Sequence, residues 1–551
     1  MTFHPTPIDI PESERTPLVK WLQEIVAGQQ LLIEHQQSTI AKLEAKVSEL
    51  EAKVTGLDEE LKAAKKLKGQ PQIRPSTLNQ EQKQSKSGGK RPGSDKRSKK
   101  TDFVVDEERI IEPLDLPEGS RFNGYREYDV QDLVLKRHNI RYLLAEYVTT
   151  EGRTITGKLP DQQQGHYGVT LQAFVLYQHH QCRVPQPLIV EQLREFGIEI
   201  SVGQVNRLLM EDKVAFHTEQ QEVLSAGLET AEYVHTDDTS ARHQGHNGYC
   251  TVIGNDLFAY FSSSDSKSRE NYLRLLRGSS EDYVLNEYSR SYLIAQQLPQ
   301  RHLVKLQFNS VSVAQGEAAW QAYLQGLDIT SHQAVKLLTE AALLGSAIEQ
   351  GLSPDLIILS DGAKQFAILV HALCWVHMER GIRRLSGNTA KHREEIEAVQ
   401  AELWDYYRQL RNYQDQPLET EQQRLRTRFD KIFGQRYPHH SGLNLALQQF
   451  CAHKQELLRV LDTPQVPLHT NAAEADIREY VTRRKISGGT RHPDGRRARD
   501  TFTGLKKTCR KLAYSFWQYL LSRFQGDDRV PYLPDVIRTR RSQTLELVHS
   551  P

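Results

Sequence analysis

Three acidic residues stand at the ends or starts of apolar runs rather than on charged faces. Asp237 lies in His235-Thr236-Asp237-Asp238-Thr239, within the strand-like run YVHTDDTSA. Asp361 follows the apolar run DLIILS and precedes Gly362. Glu474 sits in Asn471-Ala472-Ala473-Glu474-Ala475-Asp476-Ile477-Arg478, which reads as the start of a helix. Carboxylates are hard oxygen donors, and three of them from separate elements can hold Mg²⁺ or Mn²⁺ with positions left open for water and phosphate. Two such ions about 3.5–4 Å apart can serve the attacking and leaving oxygens of a phosphodiester. Each acid also has a plainer reading. Adjacent strand residues face opposite sides, so Asp238 competes with Asp237 for the inward position. Asp361-Gly362 fits a simple turn, and Asn471-x-x-Glu474 fits a helix capping box.

The surroundings of Glu474 point toward a polyanion. Between Arg478 and Lys511 there are twelve Lys or Arg and three acids. Arg478, Arg483, Arg484, Lys485, Arg496 and Arg497 are the candidate phosphate contacts there. Arg478, four residues after Glu474, shares its helical face.

The elements that must position these groups are short. YVHTDDTSA, GYCTVIGN and LFAYFSSSD read as three strands separated by turns, and SRENYLRLL as a helix. DLIILSDGA is a fourth strand, and HALCWVH, after a short helical stretch, a fifth. That order predicts an α/β, ribonuclease-H-like mixed sheet over 229–380 and 463–525. Residues 381–462, with LWDYYRQLRNY, are polar and helix-forming. Upstream, TLQAFVLYQHHQC, PLIVEQLREF and VGQVNRLLMEDK read as three helices within 164–228. Gly197 can end the second and Ser201 cap the third, which is helix-turn-helix grammar. Gln204, Asn206 and Arg207 would then read DNA. A plain helical hairpin fits the same pattern.

Farther upstream, residues 102–163 alternate as short strands would. Residues 68–101 are a basic linker; from Lys65 to Lys100 there are twelve Lys or Arg against two acids, a composition that buries too little to fold alone. Over 17–67 runs a heptad: Ile33, Ile40, Val47, Val54 and Leu61 in one position, Leu43, Leu50 and Leu57 in the other, with Gln36 the polar exception. That pattern predicts a parallel two-stranded coiled coil and so a homodimer, against a single helix packed on its own chain. The tail, 526–551, is expected to be mobile.

Composition sets the outer limits. The 551 residues are 38% hydrophobic and 26% charged, with a net charge of +1, enough for roughly three or four units of about 150 residues. Five scattered cysteines form no CxxC pair, so neither a disulfide framework nor a cysteine-rich zinc module is expected. No apolar run reaches the ~18 residues of a membrane span, and the N-terminus has no basic-then-apolar secretory pattern. The expected compartment is the cytoplasm, in association with the nucleoid.

These motifs together resemble the insertion-sequence transposases of the "insertion sequence sixty-six" group, IS66-like, in the DDE superfamily. The resemblance rests on His235-Thr236-Asp237-Asp238-Thr239, on Asp361-Gly362, on Cys374-Trp375-Val376-His377 with Arg380, and on Asn471, Glu474, Arg478, Arg484, Lys485 and Gly488. It covers roughly 165–525 and implies a helical insertion, which residues 381–462 fit. It implies a metal triad of Asp237, Asp361 and Glu474 holding two Mg²⁺ or Mn²⁺ ions, with Cys374, His377 and Asn471 as accessory residues. It implies cleavage of double-stranded DNA at an element's ends and strand transfer to target DNA. The family's four-cysteine zinc module has no counterpart here, so zinc is not expected. Cys374-x-x-His377 supplies two ligands where zinc needs four; His377 reads as a strand-end residue that orients the site or meets phosphate. The stretch between Asp237 and Asp361 is long, with helix-like AVKLLTEAALLGSAIEQG. A non-enzymatic DNA-binding regulator is the competing reading, separable by metal dependence. A serine or tyrosine recombinase would need a singled-out hydroxyl nucleophile. Whether accessory proteins take part is not legible.

Overall fold

The computed structural model describes residues 105–549 except 116, 161–164, 386, 388 and 439, together with 11, 12, 16–22, 24–33 and scattered positions up to 46. Two compact units divide the chain between Glu127 and Tyr128. In the first, the described residues from 17 to 46 are helical, with Leu18, Trp21, Ile25, Ile33, Ile40 and Leu43 exposed. The later heptads (Val47, Leu50, Val54, Leu57, Leu61) and the basic linker lie outside the described residues. So few strands form over 102–163 that the expectation of a β-rich region is corrected. One antiparallel hairpin, Glu146–Val148 with Thr154–Thr156, forms in the second unit. Tyr147, Val148 and Ile155 on it are exposed; two strands alone bury neither face, so the alternation has nothing to pack on.

Four helices open the second unit's core: α1 Val169–His180, α2 Gln186–Glu195, α3 Val202–Met210 and α4 Val214–Thr230. The break between α2 and α3 follows from its residues. Gly197 takes φ +75°, which a glycine adopts without strain. Ser201 Oγ then caps α3 by accepting from Gln204 N at 3.1 Å.

A five-stranded mixed sheet follows: β1 Tyr233–His243, β2 His246–Gly254, β3 Ala259–Ser264, β4 Ile357–Ser360 and β5 Val370–Leu373. The spatial order is β3-β2-β1-β4-β5. β2 runs antiparallel to β1 and β3, whereas β4 is parallel to β1 and β5 parallel to β4. Helix α5, Arg269–Arg277, follows β3. Between α5 and β4 the chain builds an inserted lobe: a hairpin of Asp282–Val284 with Ser312–Gln315, three helices at Glu287–Ala295, Gln300–Leu303 and Glu317–Gly326, and the buried helix α6, His332–Glu349. Tyr283 and Trp320 stack at 4.9 Å in its core.

The fifth strand ends earlier than HALCWVH suggests. After Cys374 the chain enters helix α7, Trp375–Arg383, so His377 is helical and not a strand-end residue. Trp375 gives the reason. It leaves the sheet to enter a second core, where its Nε1 donates to the Leu457 carbonyl at 2.9 Å. Its ring lies among Tyr406, Phe429, Phe433 and Phe450. These come from α8 Ala390–Asp415, α9 Glu419–Phe433 and α10 Ser441–Ala452. One aromatic side chain thus fastens the helical insertion to the end of β5.

The chain returns through α11 Asn471–Ser487 and α12 Pro493–Lys511, then α13 Phe516–Gln525 and α14 Leu533–His549. The expectation of a mobile tail is corrected. Val530, Leu533 and Ile537 are fully buried in the main core. Buried Glu219 of α4 accepts from Tyr519 Oη at 2.8 Å, from Arg523 Nη2 at 2.9 Å and from Leu533 N at 3.3 Å. Arg538 and Arg541 pair with Glu229 and Glu232. Val530, Leu533 and Ile537 thus each have a fixed place in that core.

Candidate active site

Strand β1 alternates between two surroundings. His235 and Asp237 face one side, where His235 Nε2 lies 3.4 Å from Asp476 Oδ2 on α11. Thr236 and Asp238 face the other. Asp238 is held there by Lys267 and by Gln365 Nε2, which donates at 2.8 Å. Asp238 is thus paired with a cation and an amide, and Asp237 is the acid on the side of His235 and α11.

Asp361 follows β4, the parallel neighbour of β1, so its carboxylate arrives beside that of Asp237. Gly362 takes φ +97°, and the turn is pinned by Gly362 N donating to Ser360 Oγ at 3.1 Å and Ala363 N to Asp361 Oδ1 at 3.0 Å. Burial pushes the Asp237 carboxyl up to about 6. The negative charges of Asp361 and Asp238 add to the rise, while a hydrogen bond from Asp238 N and the charge of His377 oppose it. Two carboxylates side by side, one of them reluctant to ionise, make a site short of positive charge.

Glu474 enters from α11. Thr470 precedes the helix with no side-chain cap, and Asn471 is its exposed first residue. The capping-box alternative therefore does not hold. Glu474 Oε1 instead accepts from Arg380 Nη2 at 3.1 Å and lies 3.5 Å from His377 Nε2. His377 is the hub. Its Nε2 meets Arg380 Nη1 at 2.8 Å, and its pKa is raised first by a hydrogen bond with the Cys374 thiol and further by the charge of Asp361. Cys374 is buried, which alone would raise its thiol; hydrogen bonds from His377 and Thr470 outweigh burial and bring it down. Cys374 and His377 thus hold each other.

Among the described residues, no three His, Cys, Asp or Glu side chains stand together as a ready metal cluster. Glu474 is instead paired with Arg380. The donor chemistry still suits a hard divalent ion. Among the described residues Asp237 and Asp361 make no salt bridge, so their oxygens are open to a cation, and Glu474 is 28% exposed.

Helix α11 is locked in place by two buried ion networks. Lys511 Nζ lies 2.8 Å from Asp476 Oδ2; burial would raise the Asp476 carboxyl, but His235 and Lys511 outweigh it and bring it to about 2. One turn on, Glu479 accepts from Arg183 Nη2 and Lys506 Nζ, each at 2.7 Å. These networks place a helix, not a substrate.

The expected DNA contacts divide accordingly. Arg478, Lys485, Arg497, Asn206 and Arg207 are exposed, and Gln204 is half-buried. Arg484 is turned to Ser240 and Thr239 on β1, and Arg496 Nη1 to Asp265 at 2.8 Å. Arg483 is a correction. It is only 6% exposed and donates to the His179 carbonyl on α1, because its position in α11 faces α1 rather than solvent. Lys267 and Gln365 went unread in the sequence; Lys267 lies in a polar loop and Gln365 in the short 3-10 turn Lys364–Phe366, and only the fold brings them to Asp238.

The family model described as "Transposase IS66 family" matches residues 164–294 and 347–498, just over half of the chain. The chain is also 43% identical over 307 residues to "Uncharacterized protein y4jO" of Sinorhizobium fredii (strain NBRC 101917 / NGR234). That match covers 55% of this chain and 95% of the relative.

Proposed function

Because the chain belongs to the IS66 transposase family, we propose that it cleaves DNA at the ends of its element and joins those ends to target DNA, with Asp237, Asp361 and Glu474 as the catalytic carboxylates. The observation that carries this is the meeting of Asp237, in the middle of β1, with Asp361, just past the end of its parallel neighbour β4, and with Glu474 on α11 reached through His377 and Arg380. A strand order of β3-β2-β1-β4-β5 with β2 alone reversed supports a ribonuclease-H-like catalytic domain.

Asp237, Asp361 and Glu474 would hold Mg²⁺ or Mn²⁺, two ions in the full site. When bound, the metal supplies Lewis acidity toward the scissile phosphate and lowers the pKa of an attacking hydroxyl. The chain's own residues do the rest. Asp237 and Asp361 concentrate negative charge where the cation must sit. Glu474 exchanges Arg380 for the site, which frees the Arg380 guanidinium to meet a phosphate oxygen. His377, held by Cys374, keeps Arg380 and Glu474 in register.

Substrate recognition falls to exposed cations and to α3. Arg478, Lys485 and Arg497, with Arg484 and Arg496 at the rim, suit the DNA backbone. The capped α3 with Gln204, Asn206 and Arg207 suits a helix-turn-helix reading role. The heptad from Ile33 supports pairing of two protomers through a coiled coil, so that two ends are held together. No helix among the described residues is long and apolar enough to cross a membrane, and DNA as substrate fits a nucleoid-associated protein. The direct test is nicking of a duplex carrying the element's end: Asp237→Ala should abolish it, and undiminished cutting by that variant removes the assignment.

A further inference from the structure

The turn that carries Asp361 has little holding the acid itself, so its position depends on what holds the turn. Lys364 begins the 3-10 turn Lys364–Phe366 directly after Asp361-Gly362-Ala363. The Lys364 carbonyl accepts from Arg269 Nη2 at 2.6 Å. Arg269 Nη1 donates to Tyr292 Oη at 2.9 Å, and Tyr292 Oη donates to Glu340 Oε2 at 2.6 Å. Glu340 lies in the middle of α6 and is 2% exposed; its Oε2 is also 3.8 Å from Arg269 Nη1. Burial and the Glu340 charge both raise the Tyr292 pKa, so its phenol stays protonated and donates. The rest of the turn is fastened to the same region. Gln365 reaches Asp238 on β1, and Phe366 packs edge-on against Tyr272 of α5 at 4.9 Å.

A buried glutamate is costly unless it is paired and hydrogen-bonded. Here its partners form one chain that runs out of the inserted lobe to the backbone three residues past Asp361. The planar guanidinium has two ends, one on Tyr292 and one on Lys364, a geometry that an ammonium cannot reproduce. Residues 295–346, which include Glu340, lie outside the spans matched by the family model.

We propose that Arg269, Tyr292 and Glu340 are positioning residues: the inserted lobe braces the Asp361 turn and so sets the spacing of Asp361 from Asp237. The proposal deepens the functional reading above and rests on Asp361 being a metal ligand. Removing the brace should loosen the turn, weaken metal binding and slow the chemical step without weakening the hold on DNA.

The test uses the full chain as wild type, Glu340→Gln, Arg269→Lys and the milder Tyr292→Phe, which removes one hydroxyl and keeps the ring. Amide exchange of the peptide spanning 360–370 is measured in metal-free protein, Mn²⁺ affinity by titration without DNA, and kcat and KM by end cleavage. The expected result is about tenfold faster exchange confined to that peptide. Mn²⁺ affinity should fall about tenfold, in the range seen when groups that orient ligands are lost, and kcat should fall with KM for DNA unchanged. Unchanged turn exchange and Mn²⁺ affinity in folded variants would overturn the brace, and so would a uniform rise in exchange across the chain. If the wild type neither binds Mn²⁺ nor cuts, the reading of Asp361 as a ligand fails, and exchange of the turn still decides the brace.

Discussion

Replacing Asp237 by Asn should stabilise the metal-free protein while destroying its activity. Asp237 is half-buried between Asp361 and Asp238, and its carboxyl is pushed from about 3.8 up to about 6, chiefly by burial. At about 1.4 kcal/mol per pH unit, ionising it at neutral pH costs the fold up to about 3 kcal/mol; solvent screening at a half-buried site reduces this to roughly 1–2 kcal/mol. The amide is nearly isosteric, and its oxygen can still accept from Asp238 N, now at 2.7 Å. The sign with pH follows from linkage. A carboxyl whose folded pKa lies above its unfolded one costs nothing when both states are protonated. The cost grows through the interval between the two values and is complete above about 6. The stabilisation by Asp237→Asn should therefore be full at pH 7.5, fall to about half at pH 5 and nearly vanish by pH 4. Thermal melts in EDTA would read it as a rise of roughly 2–5 °C at pH 7.5. Added Mg²⁺ should raise the wild type and leave the variant unmoved, since only a state that binds the ion gains from it. A variant no more stable than wild type at pH 7.5 in EDTA, or one whose advantage persists unchanged at pH 4, would refute the reasoning.

Other consequences are as direct. Arg478→Ala should leave the melting temperature unchanged, weaken DNA binding and lower the salt slope by about 1, whereas Arg483→Ala, which empties a buried position and abandons the His179 carbonyl, should destabilise by about 1–2 kcal/mol through lost packing and an unmet carbonyl; equal effects in binding and melting assays would contradict the placement of the two. Ending the chain at Gly526 removes Val530, Leu533 and Ile537 from the core and uncovers Glu219, so the truncated protein should melt several degrees lower or be recovered only as aggregate; an unchanged melt would mean that the tail is dispensable. Trp375→Ala should cost about 3–5 kcal/mol and expose the 384–468 region to limited proteolysis well before the rest of the chain.

The site was more legible than its supports. Asp237, Asp361 and Glu474 could be picked out only together, one within a strand-like run, one ending an apolar run and one at the start of a helix beside a basic tract. The surroundings of Asp237 and Asp238 could not, since strand alternation names two sides without saying what covers each; Lys267 and Gln365 meet Asp238 only in the fold. HALCWVH misled because Trp375 is as apolar as a strand residue but is consumed by a different core. Arg483 looked like a surface cation because the tract around it is basic, yet helix α11 has an inner face, and one cation in the tract had to occupy it. In the tail Val530, Leu533, Val536 and Ile537 do stand at helical spacing, but the surface that buries them is α4, some three hundred residues earlier.

The central claim is tested most directly by cleavage of a DNA duplex carrying the element's end, with and without Mg²⁺ or Mn²⁺, comparing wild type with Glu474→Gln. The account predicts nicking only when metal is present and only by the wild type, with both proteins binding the duplex equally well in EDTA. Tight binding with no cutting by either protein and with either metal would contradict it, and would make this chain a DNA-binding regulator built on a transposase frame.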